Sequence, residues 1–183
     1  MKCLVTGGAG FIGSNLVDQL VKLDHQVTVL DNLSTGRLSN LHQVKKKIEF
    51  VNIDIANSEN SIYEYFNNVD WVFHLAGLAD IVPSITNPNS YFKTNVKGTL
   101  NILEASKKVK IKKLIYAASA SCYGIPDKYP TNEKSEIDPK YPYALTKFLG
   151  EQLVIHWAKV YHMPNISLRF FNAYGPRSRT TGA

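Results

Sequence analysis

Residues 6–13 read TGGAGFIG, placed between a short apolar run, Lys2–Thr6, and a segment of helical period. Gly8, Gly10 and Gly13 form G-x-G-x-x-G, and Gly7, Gly10 and Gly13 form G-x-x-G-x-x-G. Glycine admits a tight turn and lets backbone N–H groups come close to an anion. A helix beginning near Phe11 would add its positive N-terminal end. Strand, glycine turn and helix in this order open a dinucleotide-binding βαβ unit. The same octet also suits a strand-to-helix turn that binds nothing, so its partners elsewhere in the chain decide.

The rest of the chain alternates in the same way. Short, often β-branched apolar runs recur at 2–6, 26–30, 48–52, 71–75, 113–118 and 166–170. They read as strands buried between two helix layers. Between them, Phe11–Leu23 puts Ile12, Leu16, Leu20 and Leu23 on one stripe. Ser58 can cap a turn carrying Ile62, Tyr63 and Phe66. Pro88–Lys108 and Tyr143–His162 read as long helices, the second with Leu149, Leu153, Trp157 and Tyr161 at i+4 steps. The pattern predicts an α/β fold, a doubly wound parallel sheet, in one domain over residues 1–183. Residues 76–87 and 124–142 leave the C-terminal ends of strands, where ligands of such sheets bind.

Composition excludes several classes. A 44% hydrophobic and 20% charged chain is ordinary for a globular domain, and no apolar stretch approaches a membrane span. The N-terminus runs directly into the glycines, so no signal peptide is expected. Cys3 and Cys122 lie in apolar segments, which predicts free thiols and a cytoplasmic location. The five histidines have no metal-ligand spacing, so no metal is expected. The net charge of +6 comes largely from Lys45–Lys47 and the cluster between Lys107 and Lys113. No aromatic residues interleave with these lysines, so no nucleic-acid partner is expected.

Asp31 ends the second strand, 18 residues beyond Gly13, where a carboxylate can accept from ribose hydroxyls and repel a 2′-phosphate. That favours NAD over NADP; the alternative is an Asx turn with Asn32 and Ser34. Arg37, which could serve NADP, reads as a solvated residue. Asp54 and Ile55 follow the third strand, where the adenine edge would lie. His74-Leu75-Ala76-Gly77 ends the fourth in small residues, with His74 read as a packed strand residue. Tyr143 and Lys147 make Y-x-x-x-K, one helical face on which an ammonium lowers a phenol's pKa from about 10. Such a phenol can act as acid and base on an alcohol or ketone. Ser119, 24 residues before Tyr143, can hold the same substrate oxygen, with Ser121 as the competing assignment. Neither G-x-S-x-G nor a P-loop occurs.

With TGGAGFIGSNL, DNLSTG, Asp54-Ile55, HLAG, NVKGTLNILEA, AASASCYG, PYALTK and LRFFNAYGP in order, the chain resembles the extended short-chain dehydrogenases/reductases. Within them it is most similar to the NAD-dependent nucleotide-sugar epimerases and dehydratases. The resemblance implies NAD contacts at Gly7, Gly10, Phe11, Ile12, Asp31, Asn32, Asp54, Ile55, Leu75, Ala76 and Asn95. It implies catalysis by Ser119, Tyr143 and Lys147, with Lys147 also holding the nicotinamide ribose and Asn172 meeting the nucleotide-sugar. Homodimerisation through helices near 90–108 and 143–162 is implied as well. Dehydratases of this kind carry an acidic pair after the catalytic Ser/Thr, where this chain has Ala120 and Ser121. That favours inversion at C4 of a UDP-hexose through a transient 4-keto sugar. A decarboxylase, a reductase, a dehydratase or a non-catalytic NAD-binding module are the alternatives. Family members continue into a smaller substrate domain, which this chain is expected to lack, so it should bind NAD yet turn over poorly alone.

Overall fold

The computed structural model describes residues 1–57 and 62–178. Ser58, the expected N-cap, lies outside them. Six strands form one sheet in the order β3-β2-β1-β4-β5-β6, every pair parallel. They are β1 (Lys2–Thr6), β2 (Gln26–Asp31), β3 (Ile48–Asn52), β4 (Trp71–His74), β5 (Lys113–Ser119) and β6 (Asn165–Phe170). Each boundary falls within a residue or two of the run of apolar residues that predicts it. The order reverses direction between β1 and β4, so the connections after these strands leave toward opposite faces and open a crevice at the C-terminal edge.

Two apolar layers sandwich the sheet. On one face α1 (Phe11–Lys22) covers Cys3, Val5, Val27 and Val29. On the other, α4 (Thr99–Val109) and α5 (Pro142–Tyr161) cover Leu4, Leu30, Val72, Leu114 and Tyr116. Cys3 and Val5 against Leu4 show why the strand reads as continuously apolar: both of its faces are core. The edge strands do not follow this rule. β3 exposes Glu49 and Asn52, and β6 leaves Ile166, Leu168 and Phe170 at least one-third exposed. The expectation of strands buried on both faces therefore holds for the four central strands and is corrected at the edges.

The buried stripe of α1 also differs from the expected one. Gly13, Ser14, Val17, Leu20 and Val21 are buried, whereas Ile12 and Leu23 are exposed. Gly13 dictates this rotation. A Cβ there would collide with the Gly7 carbonyl oxygen and lie 2.8 Å from the Gly8 Cα, so only glycine lets the helix sit this close. Residues four and eight further on then face the sheet with it.

Residues 88–109 form one continuous helical run, as expected, but not one α-helix. α2 (Ile81–Thr86) precedes α3 (Pro88–Tyr91), which passes into a π turn over Phe92–Gly98 before α4. The Thr99 hydroxyl donates to the Asn95 carbonyl at 2.6 Å, inserting a side chain into the helical ladder where the π turn ends. The segment at Ile62–Phe66 is a short 3₁₀ turn. Of the second lysine cluster, Lys107 pairs with Glu104, Lys112 pairs with Asp70, and Lys108 lies over the Tyr63 ring. Both cysteines are free and buried.

Gly13→Ala should lower stability by about 1–3 kcal/mol in chemical denaturation, because backbone cannot yield to the new methyl. Gly10→Ala, whose methyl would meet only the Gly7 carbonyl at 3.2 Å, should cost less. Equal losses would contradict the close-approach explanation.

Candidate active site

The glycine turn lies at the C-terminal end of β1, and its glycines do different work. Gly7 has φ +70°, and a Cβ on it would lie 2.7 Å from the Ala76 nitrogen, so it brings the ends of β1 and β4 together. Gly8 faces Val29 in the core. Gly10 is half-buried, and space opens beyond it at the start of α1, which has no side-chain cap. No side chain caps this first turn, so its N-terminal backbone N–H groups have no side-chain competitor for an anion.

The middle of the turn is clamped from β2. Asp31 Oδ2 accepts from the Ala9 N–H at 2.9 Å, and Oδ1 accepts from the Leu33 N–H at 2.8 Å. Asn32 Oδ1 accepts from the Ser34 N–H. Asx turns therefore do form here, at both residues, and Asp31 additionally braces the glycine turn. The Ala9 carbonyl accepts from the Arg37 N–H and the Asn40 side chain. Asn40 had no sequence signal beyond its nearness to DNLSTG. Asp54 accepts from the Ala56 N–H and the Asn57 amide, and Ile55 is buried. Asn95, 1% exposed, grips the loop after β4 from both sides. Its Oδ1 accepts from the Leu78 N–H, and its Nδ2 donates to the Leu78 carbonyl and to Thr146.

Across the crevice, Pro142 starts α5 and Tyr143 follows in its first turn. The Tyr143 hydroxyl donates to Ser119 Oγ at 3.1 Å. Ser119 ends β5, and its Oγ also accepts from the Ser121 N–H at 3.2 Å. With both acceptor positions filled, Ser119 turns its own proton to Ser121 Oγ, 2.7 Å away. Both serines thus belong to the site, in series with Tyr143. Asn172 follows β6 and is exposed.

Lys147 lies one turn beyond Tyr143 and is 7% exposed. Its ammonium rests 4.5 Å from the centre of the Tyr116 ring. Burial pulls its pKa down to about 7, against a smaller opposing pull from Glu151. Tyr116 is pushed up, mainly by burial. No sequence motif marks Tyr116 or Gly150, although Gly150 leaves room for the Tyr116 hydroxyl and the Asn95 carbonyl. His74 is a packed strand residue, as expected, with a hydroxyl on each ring nitrogen.

The assembled side chains can move a proton to and from a hydroxyl or carbonyl held at Ser119, beside a cradle for a phosphate-bearing ligand. Among the described residues no cluster of His, Cys, Asp or Glu could hold a metal, and no helix is long and apolar enough to cross a membrane.

Comparison with known proteins agrees with this geometry. Residues 3–183 match the NAD dependent epimerase/dehydratase family. The UDP-glucose 4-epimerase of Mycolicibacterium smegmatis is 37% identical over 187 residues, 100% of this chain and 59% of that protein. The UDP-N-acetyl-alpha-D-glucosaminuronate decarboxylase of Bacillus cytotoxicus is also 37% identical, covering 97% of this chain and 56% of its own. Among solved structures, the UDP-glucose 4-epimerase of Thermotoga maritima with UDP-glucose superposes with a TM-score of 0.94 at 36% identity, over 100% and 59% of the two chains. That of Thermus thermophilus in complex with NAD gives 0.92 at 35%, over 100% and 58%. The chain belongs to this family, whose cofactor is NAD, and it spans a little over half the length of these relatives.

Replacing the buried cation tests the pocket around it. Lys147 titrates near 7 when folded and near 10.5 when unfolded, so wild-type stability should climb as pH rises across that window. Lys147→Met should raise stability at pH 7 by at most about 4 kcal/mol and abolish the climb, read from urea midpoints. A destabilised variant would show that the ammonium has a buried partner.

Proposed function

We propose that this member of the family is an NAD-dependent UDP-sugar 4-epimerase unit that inverts C4 of a UDP-hexose through a transient 4-keto sugar. The observation that carries the reading is the Tyr143–Ser119 hydrogen bond, with Lys147 one helical turn away and no carboxylate at Ala120 or Ser121. The residues fit the cofactor. Gly10 leaves the cradle open, Asp31 presents a buried carboxylate at the end of β2, and small Ala76 and Gly77 line the opposite lip. In this reading Gly7, Gly10, Phe11 and Ile12 hold the pyrophosphate, and Asp31 and Asn32 the adenine-side ribose. Asp54, Ile55, Leu75, Ala76 and Asn95 border the remainder. Bound NAD would supply reversible hydride acceptance from the sugar carbon.

The proton chemistry belongs to the chain. Ser119 holds the C4 oxygen, Tyr143 takes its proton and later returns it, and Lys147 favours the phenolate while holding the nicotinamide ribose. Asn172 would meet the nucleotide-sugar. Because the same proton returns to the same oxygen, no second acid or base is needed. The B. cytotoxicus relative supports a decarboxylase as the second reading, since its reaction class shares the oxidation step.

A homodimer is part of this proposal. Val96, Leu149, Leu153 and Ile155 line a shallow groove of ≈ 400 Å³ between the long helical run and α5. Two such faces would pack as a helical bundle. The free, buried cysteines suit a reducing cytoplasm.

The purified chain should release NAD, identified by mass spectrometry, and bind NADP at least ~10-fold more weakly. Recovery of NADP would overturn the role of Asp31. Joined to the C-terminal portion of the M. smegmatis enzyme, it should interconvert UDP-glucose and UDP-galactose without net NADH. Tyr143→Phe should then lose turnover and keep NAD; a 4-keto-6-deoxy or decarboxylated product would sink the epimerase reading. Leu153→Glu should convert a dimer to a monomer in sedimentation, and an unchanged mass would remove this face from the interface.

A further inference from the structure

His74 is fully buried, and the proton-transfer chemistry does not use it. Its neighbours nevertheless fix every proton on it. The Thr99 hydroxyl has one proton, and donates it to the Asn95 carbonyl at 2.6 Å. His74 Nε2 lies 2.9 Å from the same oxygen and must therefore be the donor there. On the other side, Nδ1 is 2.7 Å from the Thr6 hydroxyl, which in turn accepts from the Ala76 N–H at 3.2 Å. A neutral ring with its proton on Nε2 leaves Nδ1 to accept from Thr6. The bonds then run one way, from the Ala76 N–H through Thr6, His74 and Thr99 to the Asn95 carbonyl.

Both ends of this chain border the crevice. Ala76 opens the loop after β4, and Asn95 clamps Leu78 two residues further along that loop. Two neighbours from other elements face the ring: Lys147 of α5 and Tyr116 of β5, the latter with ring centres 5.4 Å apart. Burial, and then the Lys147 charge, hold the imidazole down to about 3, so it remains neutral over the range in which the protein works.

We propose that His74 is a positioning residue for the cofactor crevice: as the neutral Nε2–H tautomer it orients a one-way hydrogen-bond chain that ties the Ala76 N–H, at the start of the loop after β4, to the Asn95 main-chain carbonyl in the long helical run. This rests on the reading of the crevice as an NAD site, and the test separates the two. ¹⁵N-histidine NMR of the NAD-free chain should show His74 with a bare Nδ1 and a protonated Nε2, unchanged between about pH 5 and 9. A proton on Nδ1, or a titration in that range, overturns the chain of bonds whatever the protein binds. In NAD titrations, His74→Phe, which keeps a ring but has no nitrogen, should bind roughly tenfold more weakly. His74→Gln offers one donor and one acceptor and should recover most of that loss. No loss in the first variant, or an equal loss in both, overturns the positioning role. Should His74→Phe fail to fold, the wild-type tautomer and the Gln variant still decide. Failure of the wild-type chain to bind NAD would overturn the functional reading and the positioning role with it, and leave the tautomer as an independent result.

Discussion

Backbone-to-backbone contact at the end of β1 is the constraint on which the rest of the site depends. Gly7 meets Ala76, and Gly13 meets Gly7 and Gly8, at distances that leave no room for a Cβ. The first contact draws β1 and β4 together at the point where the sheet changes direction. The second sets the rotation of α1 and hence which of its residues enter the core. A side chain at either position would wedge the crevice open and turn the helix, so fold and candidate site share one steric requirement. Asp31 then fixes the turn from β2, and its carboxylate serves the loop before it can serve any ligand.

Buried polarity follows the same economy. Near the crevice the chain buries His74, Asn95, Thr99 and Lys147; burial holds His74 neutral and pulls Lys147 down to about 7. His74, Asn95 and Thr99 are satisfied within the protein, and Asn95 ties the loop after β4 to the long helical run. Lys147 has the Tyr116 ring face, with Glu151 further along α5 pairing mainly with Arg169. An ammonium held this way is kept at a cost of desolvation, which makes sense if it acts on a ligand rather than on the fold.

The sequence made the parallel sheet legible because each central strand is apolar on both faces and each is followed by helical period or a glycine turn. It made Ser119, Tyr143 and Lys147 legible as a set because the spacing places them across one crevice. The stripe of α1 was not legible, since periodicity ranks Ile12 and Leu23 by hydrophobicity and is blind to a glycine that must touch backbone. The π turn was hidden for a similar reason: Thr99 looks like any helical threonine until its hydroxyl is found on the Asn95 carbonyl. His74 was readable as packed but not as directional, because the direction depends on Thr6 and Thr99, 68 and 25 residues away.

Hydroxyl direction gives the last step. Ser119 accepts from Tyr143 and from the Ser121 backbone, so its proton points to Ser121, and Ser121 has a proton left to offer. The turn after β5 thus presents a line of neutral hydroxyls. A carboxylate at Ala120 or Ser121 would put a charged acceptor beside this line and add a second base close to the phenol. Such a base suits chemistry that removes a proton from a neighbouring carbon. A hydroxyl line, by contrast, shuttles one proton at one oxygen and returns it, which is what inversion at a single carbon requires.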